Sequence, residues 1–298
     1  MNVVITGGTG FVGSHLCRHL LAAGHRVAAL GTRPDFDLQH SSLEYVRADT
    51  TQAGEWQECI AGADLIFNLA GKSIFHRWSK RYKDAMMASR IETTRNLVAA
   101  LPASSCAVLV STSAVGYYGN RRDELLTEDA APGDDFLARL SREWEEQALP
   151  AADKGARVVT ARFGIVLGTT GGALGAMLPA FRAFVGGPLG DGTQWFPWIH
   201  VDDLIGALDF LARGTDLQGP FNLCAPNPVR NADLARILGR VLGRPAKLAM
   251  PAMALKILMG ELASVLLAGQ RVVPQKLLGC GYKFQYPQLE AALRNLLE

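Results

Sequence analysis

Residues 1–30 read MNVVITGGTGFVGSHLCRHLLAAGHRVAAL, and this stretch decides the fold. Val3-Val4-Ile5-Thr6 has the short apolar pattern of a buried strand. Gly7, Gly10 and Gly13 follow at three-residue spacing. The run from Phe11 to Ala23 is amphipathic at helical period and stops at Gly24, and Val27 to Leu30 predicts a second strand. Strand, glycine turn, helix and strand fill the length of one βαβ unit. Glycines at such a turn let backbone approach a pyrophosphate, and the helix N-terminus offers free N–H groups and a favourable dipole. The stretch predicts a dinucleotide site at Gly7, Gly10 and Gly13; the alternative is a structural glycine turn in another α/β protein.

The residue at the end of the second strand, roughly 20 positions past the glycines, meets the adenosine ribose in such folds, and an acid there selects a free 2′-hydroxyl. This chain has Gly31-Thr32-Arg33-Pro34, with no acid until Asp35. Thr32 can hydrogen-bond a phosphate and Arg33 can pair with it as a planar cation, which favours NADP(H) over NAD. Arg33 could otherwise be a solvated loop cation.

The full chain of 298 residues can hold one large domain or two small ones. Its 49% hydrophobic and 19% charged content describes a soluble globular protein with a sizeable core. The formal net charge of +2, with basic residues scattered, gives no nucleic-acid signature. The five cysteines lie far apart, form no CxxC pair and are odd in number. That argues for reduced thiols in a cytoplasmic compartment, against a disulfide scaffold and against a metal site. No leader peptide is expected before a strand that starts this early, and no apolar run is long enough to span a bilayer, so no membrane partner is expected.

Further strand candidates are Leu43–Arg47, Leu65–Asn68, Val108–Ser111 and Val158–Arg162, with helical stretches at Lys80–Leu101 and Asp135–Ala152. The alternation predicts an α/β fold, a Rossmann-type doubly wound parallel sheet. After about residue 165 glycines cluster (Gly168, Gly171, Gly172, then Gly186, Gly187, Gly190), and Trp195-Phe196-Pro197-Trp198 follows. Loops of this kind cover sites. The expected organisation is a nucleotide-binding domain over 1–165 and a smaller, mainly helical substrate lobe over 166–298. The two are partly interleaved, because Phe221–Cys224 can still add a strand to the main sheet.

Ligands meet parallel sheets at the carboxyl ends of the strands. Asp49 follows the third strand and could accept from an adenine amino group, or serve as a turn acid. Asn68-Leu69-Ala70-Gly71 follows the fourth. Ser111-Thr112-Ser113-Ala114-Val115-Gly116-Tyr117-Tyr118-Gly119 closes the fifth. Hydroxyls beside phenols there can polarise a carbonyl or exchange its proton, or simply cap a turn and pack.

These pieces, with Thr6–Gly13 and Trp198-Ile199-His200-Val201-Asp202-Asp203-Leu204, resemble the extended short-chain dehydrogenase/reductase superfamily. Ser89-Arg90-Ile91-Glu92-Thr93-Thr94, Gly171–Leu174, Gly187–Gly192 and Gly269–Pro274 are similar to an atypical, NADP-binding subgroup, the epimerase family proteins. The resemblance spans the full length. It implies that Thr9, Gly10, Phe11 and Val12 hold the pyrophosphate, Thr32 and Arg33 the 2′-phosphate, and Leu69, Ala70 and Gly71 the adenosine side. Arg90 and Arg162 would be further cofactor contacts, or plain salt-bridge residues.

Ordinary members of that superfamily use a Tyr-x-x-x-Lys pair, in which the lysine lowers the tyrosine pKa. The corresponding helix here reads Asp135-Phe136-Leu137-Ala138-Arg139-Leu140-Ser141-Arg142-Glu143-Trp144-Glu145, without tyrosine. Two readings follow. One is an NADP(H)-dependent oxidoreductase or epimerase on a carbonyl or sugar-nucleotide-like small molecule, with Tyr118 or Tyr117 as acid/base and Ser111 or Ser113 on the carbonyl oxygen. The other is an NADP(H)-responsive binding or sensor protein without turnover. His200 could join Asp202 and Asp203 in a metal or acid/base set; the bland alternative has Asp202 capping a helix and His200 as a structural hydrogen-bonding residue. Leu255–Leu267 could pair with a second copy in a homodimer, or be core.

Overall fold

Strand β1 (Asn2–Thr6) buries Val3, Val4 and Ile5, and the chain turns at Gly7 into α1 (Phe11–Ala22), which stops at Gly24. The computed structural model describes all 298 residues. The chain continues through β2 (Arg26–Gly31), β3 (Leu43–Arg47), α2 (Glu58–Ala61), β4 (Leu65–Asn68), α3 (Lys80–Ala100), β5 (Val108–Ala114) and β6 (Leu125–Leu126). Next come α4 (Phe136–Ala148), β7 (Arg157–Phe163), β8 (Ile165–Leu167), α5 (Gly172–Arg182), β9 (Trp195–Phe196), β10 (Trp198–His200), α6 (Val201–Arg213) and β11 (Gly219–Leu223). The last part holds β12 (Val229–Arg230), α7 (Asn231–Leu242), α8 (Ala252–Met259), α9 (Leu262–Leu267), β13 (Arg271–Val272), α10 (Gln275–Gly279) and α11 (Leu289–Leu297).

Seven strands form one parallel sheet in the order β3-β2-β1-β4-β5-β7-β11. This is the expected doubly wound α/β sheet. The chain runs outward from β1 to β3, then returns to β4 on the other side of β1, and a crevice opens at that reversal. One face of the sheet is covered by Leu16 and Leu20 of α1 and Leu204, Leu208 and Leu211 of α6. The other is covered by Trp56, Ile60 of α2, and Leu97 and Val98 of α3. A separate core joins α5, α7 and α11 around Trp198 through Leu174, Leu178, Leu234, Leu238 and Leu293. Beyond residue 165, β11 pairs with β7, and α6 packs on the main sheet.

The expected strand at Val108–Ser111 runs three residues further, to Ala114. Ser111 and Ser113 do not end it, because side chains within the fold, Asn68 and Glu145, satisfy their hydroxyls. Register puts Thr6 beside Asn68 and Asn68 beside Ser111, a row of polar residues across three buried strand ends. The Asn68 carboxamide accepts from Thr6 Oγ1 at 2.7 Å and donates to Thr94 Oγ1 at 2.7 Å and Ser111 Oγ at 3.3 Å. Thr6 Oγ1 also accepts from the backbone N–H of Leu69 (3.1 Å) and Ala70 (3.2 Å). The indole Nε1 of Trp144 donates to Thr94 Oγ1 at 3.0 Å, so α4 joins the network.

Asn68→Leu leaves three buried hydroxyls short of a partner, and each orphaned group costs about 1–3 kcal/mol. Urea unfolding of this variant should show a loss of about 3 kcal/mol; a loss below about 1 kcal/mol would mean that the network is not a stabilising hub.

Candidate functional site

The turn between β1 and α1 is built around two contacts. Gly7 has φ of +69°, and a Cβ there would meet the backbone of Leu69 and Ala70 at 3.0 Å. The first two crevice walls therefore touch through bare backbone. Gly10 starts α1 with no side-chain cap, and its first turn holds no acid. An anion is the natural partner for those amides. Phe11 explains the later glycines: its ring lies where a Cβ on Gly168 or Gly171 would come within 2.5–2.7 Å, so the 168–172 loop folds directly over the start of α1.

A cavity of about 530 Å³ opens from this turn. Gly7, Gly10, Phe11, Val12 and Gly13 line one end, with Leu69 and Gly71 beside them. The α4 face turned to the cavity carries Leu137, Leu140, Ser141 and Trp144. Leu137 and Ser141 stand four apart on that face, the spacing at which a phenol and a lysine would cooperate. Trp195, Phe196 and Pro197 form a wall, and α9 closes the roof with Leu262, Val265 and Leu266. Arg90 is the single titratable side chain in the lining. Its guanidinium lies 5.1 Å from the Trp144 ring centroid and packs on Gly71, and no carboxylate pairs with it. Its side-chain hydrogen bonds are to Met86 O and Ser89 Oγ. Burial lowers its pKa to about 10. Arg90 is thus a half-buried cation that faces the cavity without a carboxylate partner.

A second polar row stands on the next strands: register aligns Ser113 with Arg162, and Arg162 with Asn222. Four of the five N–H donors of Arg162 are engaged by the protein. Its Nε and Nη2 donate to Glu145 Oε1 (2.8 Å) and Oε2 (2.9 Å), and its Nη1 donates to Tyr118 Oη (2.9 Å) and Glu128 O (3.2 Å). Burial opposes its charge, but Glu145 and Tyr118 outweigh that and raise its pKa. Tyr117 presents its ring face to the same guanidinium, 3.6 Å from the centroid. Arg162 thus stands as a structural ion-pair residue and corrects the expected cofactor contact.

Tyr118 is also corrected. It is fully buried, donates to Asn222 Oδ1 at 2.7 Å, and does not line the cavity. Burial pushes its phenol up to about 12, against the pull of Arg162, which is the wrong direction for an acid/base at neutral pH. Tyr117 lies outside the lining as well, and Ser111 is taken up by Asn68. Of the expected catalytic residues only Ser113 reaches the cavity, and its Oγ donates to Glu145 Oε1 at 2.6 Å. Beside it, Thr112 Oγ1 is buried, has no partner, and belongs to a lining residue. The sequence placed Thr112 inside the hydroxyl run but gave no reason to prefer it.

On the adenosine side, Thr32 and Arg33 are exposed at the end of β2, with Arg33 in no ion pair. The buried Thr9 side chain packs against Gly31. Ala70 contributes backbone to the turn and lies off the cavity lining. Asp49 is the turn acid, accepting from Thr51 N at 3.1 Å and Thr51 Oγ1 at 2.7 Å. His200, not Asp202, caps α6: its Nδ1 accepts from Asp202 N at 3.1 Å, and its ring stacks on Tyr286 at 4.1 Å. No cluster of His, Cys, Asp and Glu could hold a metal, and all five cysteines are free thiols. No helix is long and apolar enough to cross a membrane.

The pattern of the NAD dependent epimerase/dehydratase family matches residues 3–224. The chain belongs to that family. Residues 250–296, which include the cavity roof, match a domain of unknown function, DUF1731. The chain is 40% identical to the chloroplastic epimerase family protein SDR39U1 homolog of Arabidopsis thaliana, covering all of this chain and 87% of that one. It is 37% identical to epimerase family protein YfhF of Bacillus subtilis, covering 100% of this chain and 98% of that relative. Human epimerase family protein SDR39U1, solved with NADPH, superposes with a TM-score of 0.88 at 35% identity over 99% of both chains. MoeE5 with UDP-glucose and NAD shares the fold, at a TM-score of 0.81 and 23% identity over 99% of this chain and 97% of that one. One family member is named as chloroplastic, so the cytoplasmic setting expected from the thiols is not common to the family.

Two predictions separate structural from catalytic roles. Tyr118→Phe should cost about 1–2 kcal/mol of stability through the lost hydroxyl bonds while leaving dinucleotide affinity unchanged; a loss of affinity without loss of stability would return Tyr118 to the site. Burial lowers the His200 pKa below its ordinary 6.5, so the neutral ring that caps α6 contributes stability above that value. This contribution is lost as pH falls from 6.5 through the folded-state value. Thermal unfolding from pH 8 to 5 should show the wild type losing its advantage over His200→Asn at the acid end; a constant difference would exclude His200 as the titrating group.

Proposed function

We propose that the chain is an NADP(H)-binding oxidoreductase acting on a carbonyl compound with an apolar body. The observation that carries this is the uncapped glycine turn at the sheet's reversal, opening into a cavity lined mainly by apolar side chains with hydroxyls at one strand end. The amides of Gly10–Gly13 would hold the pyrophosphate, and Thr32 and Arg33 a 2′-phosphate. The NADPH in the human relative supports this choice of cofactor. Leu69 and Gly71 would line the ribose side, and Arg90 would pair with an anionic group of the bound ligand. The cofactor, when bound, supplies or accepts hydride. The chain's own contribution is to exclude water and to orient a carbonyl compound beside Ser113 at the end of β5. Ser113 has already committed its proton to Glu145, and the Thr112 hydroxyl, on the opposite face of β5, is buried without a partner.

The lining's chemistry favours a second reading, an NADP(H)-responsive binding protein without turnover. No tyrosine, lysine, histidine or carboxylate lines the cavity, so nothing there can exchange a proton at neutral pH. A groove of about 720 Å³ on the other side of Trp195 could take a polar extension of the ligand. Asp123 holds that wall by accepting from Trp195 Nε1 at 2.8 Å and Arg230 Nη2 at 2.6 Å.

Fluorescence titration tests the cofactor. Arg33→Ala should weaken NADPH binding on the order of tenfold and leave NADH almost unchanged; equal losses would sink the 2′-phosphate role. Arg90→Met should weaken NADPH at least as much, and unchanged affinity would move Arg90 to the substrate. Oxidation of bound NADPH by any member of a panel of apolar ketones and quinones establishes the enzyme. Tight binding without oxidation across the panel favours the sensor.

A further inference from the structure

Seven of the twelve exposed large hydrophobic side chains fall in two short segments. Phe184 and Val185 follow α5; Leu248, Met250, Met253, Ile257 and Leu258 lie on and just before α8. On α8 itself, Met253 is 70% exposed, Ile257 70% and Leu258 66%, while Leu255 alone points into the core. The two segments are joined. Met250 N donates to Pro188 O at 2.9 Å, Gly187 packs on the Leu248 backbone, and the Arg244 guanidinium lies 4.6 Å from the Phe184 ring centroid. An apolar patch of this make-up is not a random surface.

Its charge has one sign. Residues 168–190 and 234–260 contain no Asp or Glu. Arg182, Arg244, Lys247 and Lys256 are exposed there, and none forms an ion pair. A two-fold contact with a second copy would set the same patch against itself, cation facing cation, because the bordering acids Asp191, Asp233 and Glu261 are already engaged by Thr193, Arg236 and Lys83. A patch of exposed apolar side chains flanked by unpaired Lys and Arg matches instead an anionic lipid surface, where the apolar chains enter the headgroup boundary and the cations meet lipid phosphates. We propose that this face docks the protein peripherally on an anionic bilayer. The expectation of no membrane partner then holds only for spanning segments. Docking sets the cavity roof at the lipid surface, since only two residues separate α8 from α9.

The test uses the full chain and large unilamellar vesicles, of phosphatidylcholine alone or with a third of the lipid replaced by phosphatidylglycerol. Co-sedimentation should favour the anionic vesicles on the order of tenfold and fall in high salt. M253S/I257S/L258S and K247E/K256E should each lose that binding while melting as the wild type does. The lipid-charge and salt dependence of the wild type decides the matter if a variant folds poorly. No binding to either vesicle, equal binding to neutral and anionic vesicles, or variants that bind as the wild type does would overturn the proposal. So would a concentration-dependent dimer in sedimentation velocity that the triple apolar variant dissociates, because a second copy would then cover the face.

Discussion

The carboxamide of Asn68 is bonded to β1, to β5 and to α3 at once, and the crevice depends on that side chain. By accepting from Thr6, it orients the threonine oxygen to receive the N–H groups of Leu69 and Ala70. Those two residues are the backbone that Gly7 touches. The glycine turn, the strand end across the reversal and the indole of Trp144 are therefore held in one hydrogen-bonded frame. In a buried site each member loses more from an absent partner than it gains from a present one, so the frame is kept whole or not at all.

The second frame, around Arg162, uses similar residue types for a different end. It ties together Glu145, Tyr118, Ser113 and Asn222 and engages four of the five N–H donors of Arg162. Arg90 is the counter-case. It is half-buried where Arg162 is fully buried, has no carboxylate partner, and faces the cavity. Two arginines that look alike in the sequence are thus divided by the presence of one glutamate on α4. The cavity lining carries that one charge and is otherwise neutral.

The sheet was legible because buried parallel strands are short apolar runs and the helices between them carry a 3.6-residue period. The glycine turn was legible because its chemistry is local. Tyr118 was not legible: its partners, Asn222 and Arg162, lie 104 and 44 residues away in sequence. A phenol beside a hydroxyl run reads as chemistry until those partners show it to be buried structure. The strand at Val108–Ala114 was cut short for a related reason, since Ser113 is satisfied by a glutamate on a later helix. His200 and Asp202 exchanged roles because capping depends on backbone angles that spacing does not reveal. The glycines at 168 and 171 were legible as a cover but not as a cover for Phe11, a contact made only in three dimensions.

The central claim is that the reversal between β1 and β4 is a dinucleotide crevice opening into a cavity without an acid/base pair. A crystal structure of the protein grown with NADPH tests this most directly. The account predicts the pyrophosphate on the backbone of Gly10–Gly13, the 2′-phosphate at Thr32 and Arg33, and the nicotinamide within the cavity, with Tyr118 still bonded to Asn222 and Arg162. Density for the dinucleotide away from the glycine turn, or Tyr118 swung out to meet the nicotinamide, would contradict it.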